Sequence, residues 1–193
     1  MKHIIVDADD TILAYTDSLL SYANVEHPKN AVYTDICDFL TKEHNYTFEE
    51  VQDLIVDFNN SVSFRNIEPF KGSEKVIRKL SDDGVKMHVV TSCGDNGRIK
   101  TNRYHNLREV FGDVFDKIHI LPLMSRKINT LLSYVNEDVV FIEDTLAHYN
   151  DAHLLGIDSY IIKGAMNSLA HNEKIQTFDH WEDFYNLYYN NHK

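Results

Sequence analysis

The sequence predicts an α/β fold: a Rossmann-like, doubly wound parallel sheet of about five strands, with a small all-helical insertion. Three observations predict it. Short Val- and Ile-rich runs recur along the chain, helical patterns alternate with them, and one interval between runs is far too long for a single crossover.

The runs are His3–Val6, Val85–Val90, Ile118–Leu121, Val139–Ile142 and Ser159–Ile162. Their length and β-branched content fit buried strands rather than helices. Val76, Ile77 and Leu80 then share one helix face, with Gly84 as its stop. Ile128, Leu131, Leu132 and Val135 repeat that spacing, as do Ala152 and Leu155 ahead of Gly156. Strands alternating with helices imply βαβ units and a parallel sheet covered on both faces.

Between the first and second runs lie about 70 residues, more than a crossover needs. Thr47 and Glu50 form a capping-box pair, and Val51, Leu54, Ile55, Phe58 and Val62 follow at helical spacing. A second stripe holds Val32, Ile36, Phe39 and Leu40. Residues 14–68 are therefore expected to form a helical insertion over a core built from 1–13 and 69–193. The aromatic spacing of Phe178–Tyr185 predicts a terminal helix docked on that core.

Composition sets limits on function. The 193 residues are 43% hydrophobic and 25% charged, values of a globular chain with room for one domain plus an insertion. A net charge of −11 argues against bulk nucleic acid and anionic membrane surfaces as partners. Two cysteines cannot build a disulfide framework, and the first apolar run is too short for a signal peptide, so a cytoplasmic location is expected. No run approaches the roughly 18 apolar residues of a membrane span.

Ligands of doubly wound sheets bind beyond the carboxyl ends of the strands. There the first run is followed by Asp7-Ala8-Asp9-Asp10-Thr11, the second by Thr91-Ser92-Cys93-Gly94, and the fourth by Glu143-Asp144-Thr145. Lys127 opens the helix before the fourth run. Carboxylates, hydroxyls and an ammonium gathered in one cleft suit Mg²⁺-assisted phosphoryl transfer. Mg²⁺ takes hard oxygens, which Asp7 and Asp144 can supply. A carboxylate is also a nucleophile toward phosphorus once a cation screens their repulsion. Asp9 is placed to protonate the leaving oxygen and then activate water, and Thr91 to bond a phosphate oxygen. Each residue alone also has an ordinary reading: a solvated Asp-x-Asp loop, a strand-end Thr, a surface Lys, a helix-capping acid pair. Their order and strand context are what make them a set.

With those residues in hand, the sequence resembles the haloacid dehalogenase superfamily of phosphohydrolases. Its first motif is matched by Ile4-Ile5-Val6-Asp7-Ala8-Asp9-Asp10-Thr11, its second by Val89-Val90-Thr91-Ser92, its third by Lys127, and its fourth by Val140-Phe141-Ile142-Glu143-Asp144. Pro69-Phe70-Lys71-Gly72 looks like the family's return from cap to core. The resemblance implies Asp7 as nucleophile and Mg²⁺ ligand, and Asp9 as acid/base with its backbone carbonyl on the metal. It implies Thr91 and Ser92 at the phosphate, Lys127 stabilising the phospho-enzyme, Asp144 holding Mg²⁺, and Thr11 and Glu143 in support. Glu143 departs from the commoner Asp or Gly, and His148 stands where related sequences often carry another Asp. Arg98 and Lys100 compete with Lys127 for the cation's role. His148 and His153 are expected on the surface.

The insertion resembles a small cap that closes over the site, implying a small phosphorylated metabolite as substrate, with a nucleoside monophosphate, as for the family's small nucleotidases, as the leading candidate. Tyr15, Tyr22, Tyr33, Tyr46, Phe64 and Arg65 lie in or near it and are mostly expected to be ordinary packing residues. A phosphomutase is the alternative within enzymes. A receiver-type module is the alternative outside them, but it needs an Asp after the third strand, where Ile120-Leu121-Pro122-Leu123 offers none. A non-catalytic phosphate-binding protein would show damage in these motifs, and none is visible.

Overall fold

The structure is a computed structural model that describes residues 3–27, 33, 35–164 and 175–192. Six parallel strands form its sheet: β1 (His3–Val6), β2 (Lys86–Thr91), β3 (Phe115–Ile120), β4 (Val139–Glu143), β5 (Asp158–Ile162) and β6 (Thr177–Phe178), in the order β3-β2-β1-β4-β5-β6. β1 lies centrally, its Ile4, Ile5 and Val6 fully buried between layers of helices. The order reverses between β1 and β4, the place where doubly wound sheets open a crevice for ligand.

Four of the expected strands begin and end within a residue of their places. β3 instead starts three residues early, at Phe115. It is an edge strand whose Asp116 and Lys117 are exposed, so its first half carries no apolar signal. β6 is the strand beyond the expected five. It takes Phe178 out of the expected terminal helix, which begins at Trp181 and runs to His192.

The helices follow in chain order. Between β1 and β2 lie α1 (Tyr15–Ala23), α2 (Ile36–His44), α3 (Phe48–Asn59), α4 (Val62–Arg65) and α5 (Ser73–Asp82). After β2 come α6 (Gly97–Phe111), α7 (Ile128–Leu131), α8 (Leu146–Leu154) and α9 (Trp181–His192). Leu13 and Pro69, before the first and after the fourth of these helices, face each other in an antiparallel bridge. The Thr47–Glu50 capping box is formed, and Gly84 closes α5 with a positive φ of 83°.

Two apolar faces differ from expectation. Val62 does not extend the α3 stripe: α3 stops at Asn59, Ser61 caps a new helix, and the changed phase leaves Val62 66% exposed. The face from Ile128 buries Leu131 but leaves Leu132 and Val135 exposed, because α7 tightens after one turn into a 3₁₀ segment, Leu132–Tyr134. Tyr134 is the residue that this turns inward. Val32 of the second stripe lies outside the described residues, whereas Phe39 and Leu40 are buried. Among the described residues no helix is long and apolar enough to cross a membrane.

Candidate active site

The site grows from the loop after β1. The Asp7 amide donates to the Ile142 carbonyl at 2.9 Å, so the loop starts in step with β4. The chain then turns back on itself: the amides of Ile12 and Leu13 both donate to the Ala8 carbonyl. Asp10 adopts a left-handed φ of 51°, a conformation that Asp tolerates better than most residues. Its carboxylate accepts from the Thr16 amide at 2.9 Å and the Thr16 hydroxyl, tying the loop to the first turn of α1. From beneath, the single Trp of the chain, Trp181, donates its indole N–H to the Thr11 carbonyl at 2.8 Å.

Asp7, Glu143 and Asp144 meet across the β1–β4 crevice. One carboxylate oxygen from each lies within 4.8 Å of the others. Lys127, at the N-cap of α7, reaches the same place: its ammonium donates to Asp7 Oδ1 and, at 2.7 Å, to Glu143 Oε2. Asp7, Lys127 and Glu143 are 4%, 2% and 1% exposed, so these charges answer to one another rather than to water. Asp7 and Glu143 share one ammonium with Asp144 beside them, and the balance shows in their acidity. Burial lifts Asp7 to about 8 against the pull of Lys127. Burial, then Glu143 and Asp7, lifts Asp144 well above the ordinary carboxylate range. Burial also opposes ionisation of Glu143, but Lys127, with His148 and Asp144 adding to it, holds Glu143 below its ordinary value. Asp7 and Glu143 in turn keep Lys127 charged despite its burial. A hard divalent cation fits this donor set: oxygen-only and acidic, with three carboxylates set against one ammonium.

Thr91 ends β2 with its hydroxyl fully buried and without a hydrogen-bond partner among the described residues. Ser92 does something else. Its hydroxyl donates to the Ser125 carbonyl at 3.0 Å and so anchors the loop that delivers Lys127. Thr11 is buried, with its hydroxyl likewise unpartnered. Arg98 is exposed and Lys100 half-exposed on α6, and neither pairs with the acids; Lys127 is the cation brought to Asp7.

The Asp9 carboxylate stands outside the acid cluster, paired with the guanidinium of Arg103. Sequence reasoning missed Arg103. The available signal was its place in α6: Ile99, Arg103 and Leu107 recur every fourth residue, which puts a charged residue on an inward face. Asp151 is buried and takes two bonds from Arg126. His148 is not on the surface: its side chain is only 15% exposed and its ring faces Asp151 at 3.8 Å. α8 turns that side of its first two turns toward the Lys127 loop, and burial lowers the pKa of the imidazole. His153 is exposed and stacks on Tyr149.

The aromatic residues of the insertion largely pack on one another. Tyr15, Phe58 and Phe64 meet edge to face, and Tyr15 donates to Asn59 at 2.9 Å. Tyr33 bonds Glu43, and Arg65 lies 3.1 Å from the His105 ring. Beside Asp144 and Asp10 opens a cavity of about 500 Å³, whose walls include Thr16, Lys71, Lys163 and His180.

No protein-family model matches the chain, and no curated protein matches it in sequence. Solved structures do match in fold. A predicted phosphatase from Clostridium acetobutylicum superposes with a TM-score of 0.68 at 16% identity, covering 98% of each chain. A haloacid dehalogenase-like hydrolase from Streptococcus pneumoniae gives 0.67 at 13% identity over 97% of this chain and 98% of the other. A predicted phosphoglycolate phosphatase from Haemophilus somnus gives 0.63 at 14% identity, again over 97% and 98%. With a parallel sheet, a helical insertion and near-complete coverage on both sides, the chain has the fold of the haloacid dehalogenase-like hydrolases.

Proposed function

We propose that the protein is a Mg²⁺-dependent phosphomonoester hydrolase that forms an aspartyl-phosphate on Asp7. The observation that carries this is the buried Asp7–Lys127–Glu143 set at the β1–β4 crevice, with Asp144 alongside. Asp7, Asp144 and the Asp9 backbone carbonyl would hold Mg²⁺. When bound, that ion neutralises charge on the phosphoryl oxygens.

The chain's own residues do the rest. Lys127 directs one Asp7 oxygen and supplies positive charge where the phosphoryl group arrives. Glu143 holds Lys127 with one oxygen and accepts from the Thr145 amide with the other, at 3.3 Å, so the ammonium cannot swing away. The unpartnered Thr91 hydroxyl is free to donate to a phosphate oxygen. Ser92 acts one step back, through the Ser125 loop. In the first step an Asp7 oxygen bonds phosphorus, the ester P–O bond breaks, and the proton on Asp9 passes to the departing oxygen. In the second, Asp9 takes a proton from water as that water's oxygen bonds phosphorus and the Asp7–phosphorus bond breaks.

The cavity of about 500 Å³ is the size of a small-ligand site, which favours a small phosphorylated metabolite over a protein substrate. Within that class, a nucleoside monophosphate is one narrower reading and a phosphorylated hydroxy acid, as the names of the fold neighbours suggest, is the other. Tyr15 and Phe64 are committed to packing, which weakens the case for base stacking. Two unpaired thiols and a net charge of −11 support a cytoplasmic protein without nucleic-acid or membrane partners. The test is phosphate release from p-nitrophenyl phosphate, nucleoside monophosphates, phosphoglycolate and sugar phosphates, with and without Mg²⁺. Release that needs Mg²⁺ and favours one group supports the reading. No release from any of them contradicts it.

A further inference from the structure

We propose that Arg103 is a positioning residue that holds the Asp9 carboxylate in line with the scissile ester oxygen and links that alignment to the seating of the helical insertion. The inference rests on the reading of Asp9 as acid and base. Arg103 is fully buried in α6, and its Nη2 donates to Asp9 Oδ1. The face of its guanidinium lies over the Phe64 ring of α4, 4.3 Å from the ring centre. Nε and Nη1 have no hydrogen-bond partner among the described residues.

A buried guanidinium serving only stability would be expected to find partners for most of its five donors, or to be replaced by an apolar side chain. Arg103 instead has Asp9 as its one paired carboxylate, with the Cys93 thiol as its other polar neighbour, and the Asp9 side chain is 24% exposed. Asp9 has two side-chain torsions and, among the described residues, no other hydrogen-bond donor. Without the guanidinium nothing sets which way the carboxylate faces. Phe64 bears on the other side of the clamp and is itself wedged between Tyr15 and Phe58. The preceding residue of α6, Asn102, donates to the Asn59 and Ser61 carbonyls of the insertion at 3.4 and 3.1 Å. Arg103 thus lies where α6, the insertion and the loop after β1 converge, and a shift of the insertion over α6 would be felt at Asp9. General acid catalysis requires the proton donor within hydrogen-bond reach of the leaving oxygen, so a small loss of alignment is costly when that oxygen is a poor leaving group.

Leaving-group dependence separates this role from a structural one. Single-turnover rates would be measured for an alkyl phosphate, whose oxygen needs the proton, and p-nitrophenyl phosphate, whose oxygen does not. Arg103→Met keeps side-chain volume while removing the fork. It is expected to slow the alkyl ester by about 10- to 100-fold and p-nitrophenyl phosphate by about 3-fold or less, with Arg103→Lys between it and the native protein. Phe64→Leu, which loosens the clamp without touching charge, is expected to move the same ratio less far in the same direction. Equal slowing of both esters, or no slowing of either, would overturn the proposal. Should Arg103→Met not fold, Arg103→Lys and Phe64→Leu carry the same comparison. Asp9→Asn distinguishes the two readings. If it leaves the alkyl ester unaffected, Asp9 is not the acid. If it slows that ester selectively and the Arg103 variants do not, only the positioning role fails.

Discussion

On the proposed reading, Lys127 carries both stability and chemistry in one side chain. Its ammonium is the sole positive charge touching Asp7 and Glu143 among the described residues, and all three groups are buried. Lys127→Met would leave two buried carboxylates without their partner, the situation in which breaking an ion pair costs about 3–5 kcal/mol. Urea unfolding should show that loss as a lowered midpoint. Asp9→Asn removes the proposed proton donor without removing the nucleophile, and alkyl phosphate turnover is expected to fall by about 10²- to 10⁴-fold; because it also takes the paired carboxylate from the buried Arg103, the urea midpoint should fall as well. At this scale the sequence exposed Asp7, Lys127, Glu143 and Asp144, because each sits at a strand end or helix start that apolar runs mark out. It hid Arg103 and Asp151, whose partners lie 94 and 25 residues away in the chain. A charged residue on a helix reads as solvated until the element that covers it is known.

Among elements, α6 decides how the insertion sits. Asn59 at the end of α3 accepts from Tyr15 and donates to the Cys93 carbonyl at 2.8 Å. Asn106 donates to the Ile67 carbonyl at 2.8 Å. Asn59→Leu would strand a buried hydroxyl and a buried carbonyl, and about 1–3 kcal/mol of stability should be lost in urea titration. A second set couples β2, β3 and the turn after α7. The Tyr134 hydroxyl lies 3.1 Å from His88 Nδ1 and 3.0 Å from His119 Nε2. One hydroxyl can donate to one ring and accept from the other only while the accepting ring is neutral, so protonation of both rings breaks this arrangement. Burial, helped by the nearby Lys117 charge, holds both histidines below their ordinary value of 6.5. The unfolded chain therefore takes up protons first as pH falls below 6.5, so the stability present above that pH drains away on acidification. The urea midpoint should drop as pH falls below 6.5, and the drop should shrink in a His88→Gln, His119→Gln double variant. What the sequence made legible here followed strength of pattern. The capping box and the α3 stripe were visible because they are local. The break at Ser61 and the early start of β3 were not, because capping chemistry and an exposed sheet edge overrode periodicity.

The whole molecule concentrates its chemistry at the point where strand order reverses. β1 and β4 deliver Asp7, Glu143 and Asp144 from chain positions far apart, β2 adds Thr91, and α9 closes the fold beneath the loop through Trp181. That architecture was readable because every strand but β6 announces itself with a β-branched run. β6 has two residues and exists only through its pairing with β5. The buried, single Trp181 also makes global unfolding visible by fluorescence. Trp181→Phe leaves the Thr11 carbonyl without its donor and is expected to cost about 1–3 kcal/mol in urea unfolding. The net charge of −11 gains a local meaning in this frame: a small, buried share of the acids forms the crevice, and the rest are spread over the molecule. The central claim is that Asp7 accepts the phosphoryl group. Mass spectrometry of the protein acid-quenched during turnover of p-nitrophenyl phosphate with Mg²⁺ tests it most directly. The account predicts a phosphoryl adduct on the peptide bearing Asp7, and neither adduct nor turnover in Asp7→Asn; full turnover by Asp7→Asn, or an adduct on another residue, would contradict it.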